Sequence, residues 1–167
     1  MRYLPLSQGF VTWIDDEDYA WASQWKWYAH RQARSHWYAA RSAYLGGGRR
    51  HQRRRTILLH RELLHAGPRQ LIDHANRDSL DNQRGNLRFC TPAQNKANAI
   101  RHRNCRSRFK GVRKLRHRPN RWTARISVEG RRLSLGCFQT EEAAAQAYNE
   151  AAKNVFGVFA RGNVVEI

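Results

Sequence analysis

Asp73, His74, Asn86 and Asn95 combine three kinds of side chain that can work on one bond. A neutral imidazole takes a proton from water near pH 7. A carboxylate joined by a carboxamide oxygen makes a hard oxygen site suited to one divalent cation, Mg2+ or Mn2+. Hydrolysis of a phosphodiester needs these abilities together: an activated water, an in-line attack, and neutralised charge on the leaving oxygen. Singly, each residue has a plainer reading. Asp73 could cap a turn, His74 could be structural, Asn86 could hold a turn, and Asn95 could sit exposed on a first helical turn. Their conjunction is what points to a site. A zinc site from His60, His65 and Cys90 follows no standard spacing; Cys90 is better read as filling core space.

The elements around these residues are well signalled. Leu71-Ile72 leads as a strand into Asp73-His74. A turn-rich loop runs from Asn76 to Gly85, and Asn86 opens a second strand, Leu87 to Cys90. Thr91 as N-cap, Pro92 at the first helical position and Gln94 as the reciprocal partner then start a helix that carries Asn95 and continues through Asn98 to about Arg101. Upstream, the pattern predicts a helix from Asp16 to Gln24 and strands at Trp25–His30, Trp37–Ser42 and Thr56–Leu59. Five of the six tryptophans, Trp13, Trp21, Trp25, Trp27 and Trp37, lie in this segment and are expected in the core. Downstream, Phe109–Leu115, Trp122–Val128 and Arg132–Phe138 alternate as strands do, with a turn at Glu129-Gly130-Arg131. Thr140 caps an alanine-rich helix from Glu141 to about Lys153, and Gly157 ends the region.

Charge narrows the partner. There are 31 Lys+Arg against 13 Asp+Glu, a net of +18, and such a surface favours polyanions through counterion release. The bases are unevenly spread: residues 31–72 hold ten arginines and one acid, and residues 99–132 hold thirteen bases and one acid. Between them the carboxylates and amides are kept, as expected if nucleic acid is gripped on both sides of a reactive centre. Gly46-Gly47-Gly48 followed by Arg49 through Arg55 reads as a basic loop, with Arg53, Arg54 and Arg55 following a phosphate backbone. Strand alternation offers Lys110, Arg113, Lys114, Arg125, Ser127, Arg132 and Ser134 as further contacts. The three cysteines form no C-x-x-C pair, no stretch is long enough to span a membrane, and no secretory signal opens the chain. A soluble cytoplasmic protein, not secreted, is expected.

Leu59-His60-Arg61, Ile72-Asp73-His74-Ala75-Asn76, Leu80 through Gln83-Arg84 to Arg88, and Thr91 through Gln94-Asn95-Lys96 to Asn98 resemble the HNH homing endonucleases, His-Me finger nucleases often encoded by phages and introns. The likeness covers about residues 1–100, from Leu4-Pro5-Leu6 onward. It implies His74 as general base, Asp73 and Asn95 as ligands of one divalent metal, and Asn86 as the residue that orients His74 or fixes the loop. It also implies 5′-phosphate and 3′-hydroxyl ends. The third motif position is Asn95 rather than His, which favours a hard ion over zinc. Residues 107–160 resemble an APETALA2/ERF-type DNA-binding domain, on Phe109-Lys110-Gly111-Val112-Arg113, Trp122 through Ile126, Leu135 through Phe138, and Thr140 to Tyr148. That family lays its sheet in the major groove of double-stranded DNA; Arg125 and Ser134 depart from its usual residues, so its base preference does not carry over.

The implied fold is α+β: a ββα-metal nuclease core behind an N-terminal β-rich segment, over residues 1–104 with the motif at about 57–101, then a three-stranded antiparallel sheet packed on one helix over 105–167. The implied function is a DNA endonuclease whose first module cuts and whose second positions. Its rivals are a non-catalytic DNA-binding regulator with a degenerate HNH scaffold, and an RNA-binding protein.

Overall fold

A computed structural model describes residues 1–33, 36–47, 53–100, 106–118 and 120–165. Of the expected glycine–arginine loop, residues 48–52 lie outside these ranges, whereas Arg54 and Arg55 are in a strand and not in the loop. Cys105 also lies outside, and the helix expected to reach about Arg101 ends at Asn98, where Ala99 turns to an extended backbone. The architecture is mixed α and β, with four α-helices and several small antiparallel sheets among the described residues. No helix there is long and apolar enough to cross a membrane.

The chain divides into two compact units, Met1–Cys90 and Thr91–Ile167. This division precedes the Asn95 helix.

In the first unit, β1 (Arg2–Pro5) and β2 (Val11–Ile14) form a hairpin that composition did not announce. Helix α1 (Asp16–Ala22) follows, with three acids in its first turn, where they complement the helix dipole. Strands β3 (Tyr28–Ala33), β4 (His36–Tyr44) and β5 (Arg54–Leu58) make an antiparallel sheet in that order. A short helix, α2 (Leu59–Leu63), was also unforeseen. Strands β6 (Leu71–His74) and β7 (Leu87–Cys90) pair antiparallel, with Asp73 opposite Arg88 and His74 opposite Leu87. Leu4, Leu6, Ile14, Ala22, Trp27, Ala29, Ala39, Leu59, Leu63 and Leu87 form the core.

The expected tryptophan core is corrected. Trp27 is 3% exposed, with its indole N–H donating to the Ala22 carbonyl at 2.8 Å, but Trp13, Trp21 and Trp25 are 36%, 37% and 45% exposed. Trp25 serves as a platform for Arg41, whose guanidinium lies 4.1 Å from the ring centroid while donating to both carboxylate oxygens of Glu62 at 2.8 and 2.6 Å. A tryptophan can shield a charged pair at the surface as readily as it fills an interior.

In the second unit, α3 (Pro92–Asn98) carries the expected capping box between Thr91 and Gln94. Strands β8 (Val112–Lys114), β9 (Trp122–Val128) and β10 (Arg131–Phe138) form an antiparallel sheet with β9 central, and α4 (Glu141–Phe156) packs on one face. Buried Ala144, Ala145, Tyr148 and Ala152 of α4 meet Phe109, Val112, Ala124 and Ile126. The small alanines let the helix approach closely. Gly111 shows how closely: at φ +76° a Cβ there would lie 2.1 Å from the Tyr148 ring, so only glycine fits.

Candidate active site

Asp73 and His74 end β6 and are each 6% exposed. Their surroundings are built by segments far away in sequence. The loop from Asn76 to Asn86 is stitched to itself: the Asn86 side chain accepts from the Asn76 backbone N–H at 2.9 Å and donates to the Asp81 carbonyl at 2.8 Å. Asn86 thus bridges the two ends of this loop.

Asn82 is the residue that meets His74. It is fully buried; its Oδ1 lies 3.3 Å from His74 Nε2, and its Nδ2 donates to Thr12 Oγ1 at 2.7 Å. The Thr12 hydroxyl in turn donates to the Leu80 carbonyl at 2.7 Å. This relay sets the amide orientation. Thr12 gives its proton to Leu80, so it can only accept from Asn82. The Asn82 oxygen therefore faces His74, whose Nε2 must carry the hydrogen, leaving Nδ1 as the basic nitrogen. Nothing in the sequence separated Asn82 from the other polar residues of its loop. Its burial comes from β2, which runs beside the loop through Trp13 N–H to Leu80 O and Asn82 N–H to Trp13 O, both 2.8 Å.

The N-terminal acids complete the scaffold. Asp18 accepts from Arg84 Nε at 2.8 Å and Nη2 at 2.7 Å, and Asp15 accepts from the Arg84 backbone N–H at 2.7 Å. Asp15, Glu17 and Asp18 have ligand atoms within 4.8 Å of one another, yet Arg84 lies among them, so the cluster works as a clamp on the loop.

Aromatic rings enclose His74. The His60 ring centroid is 5.2 Å away, edge-on, and that of Tyr38 is 6.2 Å away. Burial pushes the His74 pKa down, against the opposing pull of the Asn82 bond and of Asp73, Asp78 and Asp81. His74 is consequently unprotonated at neutral pH, the state a base requires. Asp73 is held from the opposite strand: Arg88 Nε and Nη2 both donate to its Oδ2, at 2.9 and 2.7 Å. Asn95 lies exposed on α3 in the second unit.

No family model matches the chain. An uncharacterized HNH endonuclease of Acanthamoeba polyphaga mimivirus is 32% identical to it over 136 residues, spanning 78% of this chain and 67% of that protein. The chain belongs to the HNH endonuclease family. A nucleic acid is accordingly the expected substrate.

The basic residues proposed from alternation sort by register. Arg113 pairs with Thr123, Arg125 with Ser134, and Arg132 with Ser127, so the three arginines share the sheet face opposite Ala124 and Ile126, and all three are exposed. Lys114 is on the other side, its ammonium 5.6 Å from the Trp122 ring centroid. Lys110 is redirected altogether. Its Nζ donates to the carbonyls of Lys96, Ala97 and Ala99 at 3.0, 2.5 and 2.9 Å, closing the C-terminal end of α3. Burial, with Lys96 nearby, pushes its pKa down to about 8. Its three protons are directed at these carbonyls, and this ties α3 to the turn that carries Lys110. Arg53, just before β5, and Arg54 and Arg55 at its start are exposed.

The buried His60 supplies a pH test of this packing. Burial, then His74 and Arg61, push its pKa down to about 3. The unfolded chain takes up a proton near pH 6.5 that the folded chain refuses until about pH 3, so stability is full above the first value and falls between the two. Moving from near pH 7.5 to near pH 5 should cost up to about 2 kcal/mol through this one group. Urea denaturation followed by tryptophan fluorescence should show that loss in the natural chain and a smaller one in His60→Phe. Equal losses would mean that His60 takes up its proton in the folded state.

Proposed function

We propose that this chain is a divalent-metal-dependent DNA endonuclease of the homing or mobile-element type, cutting double-stranded DNA to 5′-phosphate and 3′-hydroxyl ends. The observation that carries the reading is the buried His74, whose Nε2 lies 3.3 Å from Asn82 Oδ1, beside a carboxylate on the same strand. In this reading Nδ1 of His74 takes the proton from the attacking water. Asn82 holds the ring at the angle required, and Asn86 keeps the loop that carries Asn82 closed. The apolar and aromatic surroundings keep the imidazole uncharged until it accepts the proton.

The donor chemistry suits a hard ion. Asp73 is a buried carboxylate already engaged by a cationic group, Arg88, and Asn95 offers a carboxamide oxygen, with water and phosphate completing the shell. Asp73 would hold one Mg2+ or Mn2+, which when bound neutralises charge on the phosphate and the leaving oxygen, and the family resemblance implies Asn95 as a further ligand. Arg113, Arg125 and Arg132 would lie against DNA as the reading face of an APETALA2/ERF-like module, with Arg53, Arg54 and Arg55 on the flanking backbone.

A plasmid-nicking assay tests the reading. Supercoiled DNA should be relaxed with Mg2+ or Mn2+ and left intact with EDTA. One site per chain cuts one strand, so nicked circles should precede linear product. Tight binding without cutting under either metal would favour a DNA-binding regulator, and preferential retention on duplex RNA in competition would move the substrate class.

A further inference from the structure

Arg88 faces Asp73 across the β6–β7 pair and places two N–H groups on a single carboxylate oxygen, at 2.9 and 2.7 Å. The pair is well shielded: the side chains are 21% and 6% exposed. Attraction between such charges is far stronger than at the surface, and so is the repulsion felt by any second cation brought to the same carboxylate. We propose that Arg88 occupies Asp73 as a cationic placeholder, so that a divalent ion loads only by displacing the guanidinium from the shared oxygen. This rests on the reading of Asp73 as a metal ligand.

The geometry gives the placeholder a purpose. Without nucleic acid, the guanidinium satisfies a buried carboxylate that would otherwise be costly to leave unpaired. It also keeps affinity for free divalent ions low. When a backbone phosphate arrives, it offers oxygens both to the ion and to the displaced guanidinium, whose planar fork suits phosphate as well as carboxylate. Metal loading is thereby favoured once substrate is present. Arg88 acts here as a positioning residue for Asp73, and no bond is made or broken at it.

The test is direct metal binding by the full chain without DNA, measured by titration calorimetry with Mn2+. Arg88→Gln keeps hydrogen-bonding capacity and removes the charge; it should tighten Mn2+ binding roughly tenfold. Arg88→Lys keeps the charge and should stay within about threefold of the natural chain. Affinity unchanged or weakened in Arg88→Gln would overturn the proposal, because a merely structural arginine would lower affinity when removed. A second measurement needs no variant: the Arg88 Nε–H resonance should shift as Mg2+ saturates the natural chain, and a stationary resonance at saturation would overturn the proposal even if Arg88→Gln failed to fold. Asp73→Asn separates the two levels. If it abolishes binding while Arg88→Gln does not tighten it, only the placeholder role fails. If Asp73→Asn binds Mn2+ as the natural chain does, the metal assignment fails and the placeholder with it.

Discussion

His74→Ala should lower the single-turnover nicking rate by at least about a thousandfold while leaving duplex affinity within about twofold, as read by fluorescence anisotropy on a labelled duplex. A positioned base contributes on the order of a hundred to ten thousandfold to a proton-transfer step. In the proposed reading His74 is the base, and it is buried, held by Asn82 at 3.3 Å and pushed by burial toward its neutral form, so the upper part of that range is expected. Affinity should hold because His74 carries no charge with which to hold phosphates. The alanine also strands the Asn82 oxygen in a buried site, at a cost of roughly 1–3 kcal/mol in stability. His74→Gln, which can still donate toward Asn82, separates the two effects: it should be equally inactive with most of the stability restored. A parallel collapse of affinity in both variants would make His74 a structural residue and return the family scaffold to a binding role.

The second large effect belongs to the sheet of the second unit. Replacing Arg113, Arg125 and Arg132 together by alanine should weaken duplex binding by roughly a hundredfold or more near 0.1 M salt. It should also cut the slope of log affinity against log salt by about 2.7 units, close to 0.9 for each phosphate no longer neutralised. The register supports treating them as one set, since all three project from the face that α4 leaves uncovered. If some read bases, affinity still drops and the slope falls by less. Lys110→Met is the contrasting variant. Its ammonium is engaged by three carbonyls of α3, so the salt slope should stay the same while the helix end loses protection from hydrogen exchange. A triple variant with unchanged affinity and slope would place the DNA elsewhere.

How far local sequence reached can be followed residue by residue. Thr91, Pro92 and Gln94 announced α3, and Thr140 announced α4, because a cap is made between neighbours in the chain. The alternation of β8, β9 and β10 likewise separated Arg113, Arg125 and Arg132 from Ala124 and Ile126, since side-chain direction in a strand depends only on parity. Asp73-His74 stood out for the same local reason, a short apolar run ending in two reactive groups.

Other features depended on partners far along the chain. Asn82 became the residue that sets the His74 tautomer because Thr12, from a hairpin at the other end of the unit, supplies its second hydrogen bond. Arg88 reached Asp73 only through strand register. Lys110 turned to the end of α3 because three carbonyls of that helix end lie within reach of its ammonium. Trp25 stayed at the surface because Arg41 and Glu62 needed a shielding ring. The amino-acid sequence by itself determined which groups were available and how each local element would present them. The tertiary structure decided which of those groups are buried and what each is bonded to, and burial with bonding is what sets an imidazole's tautomer and charge.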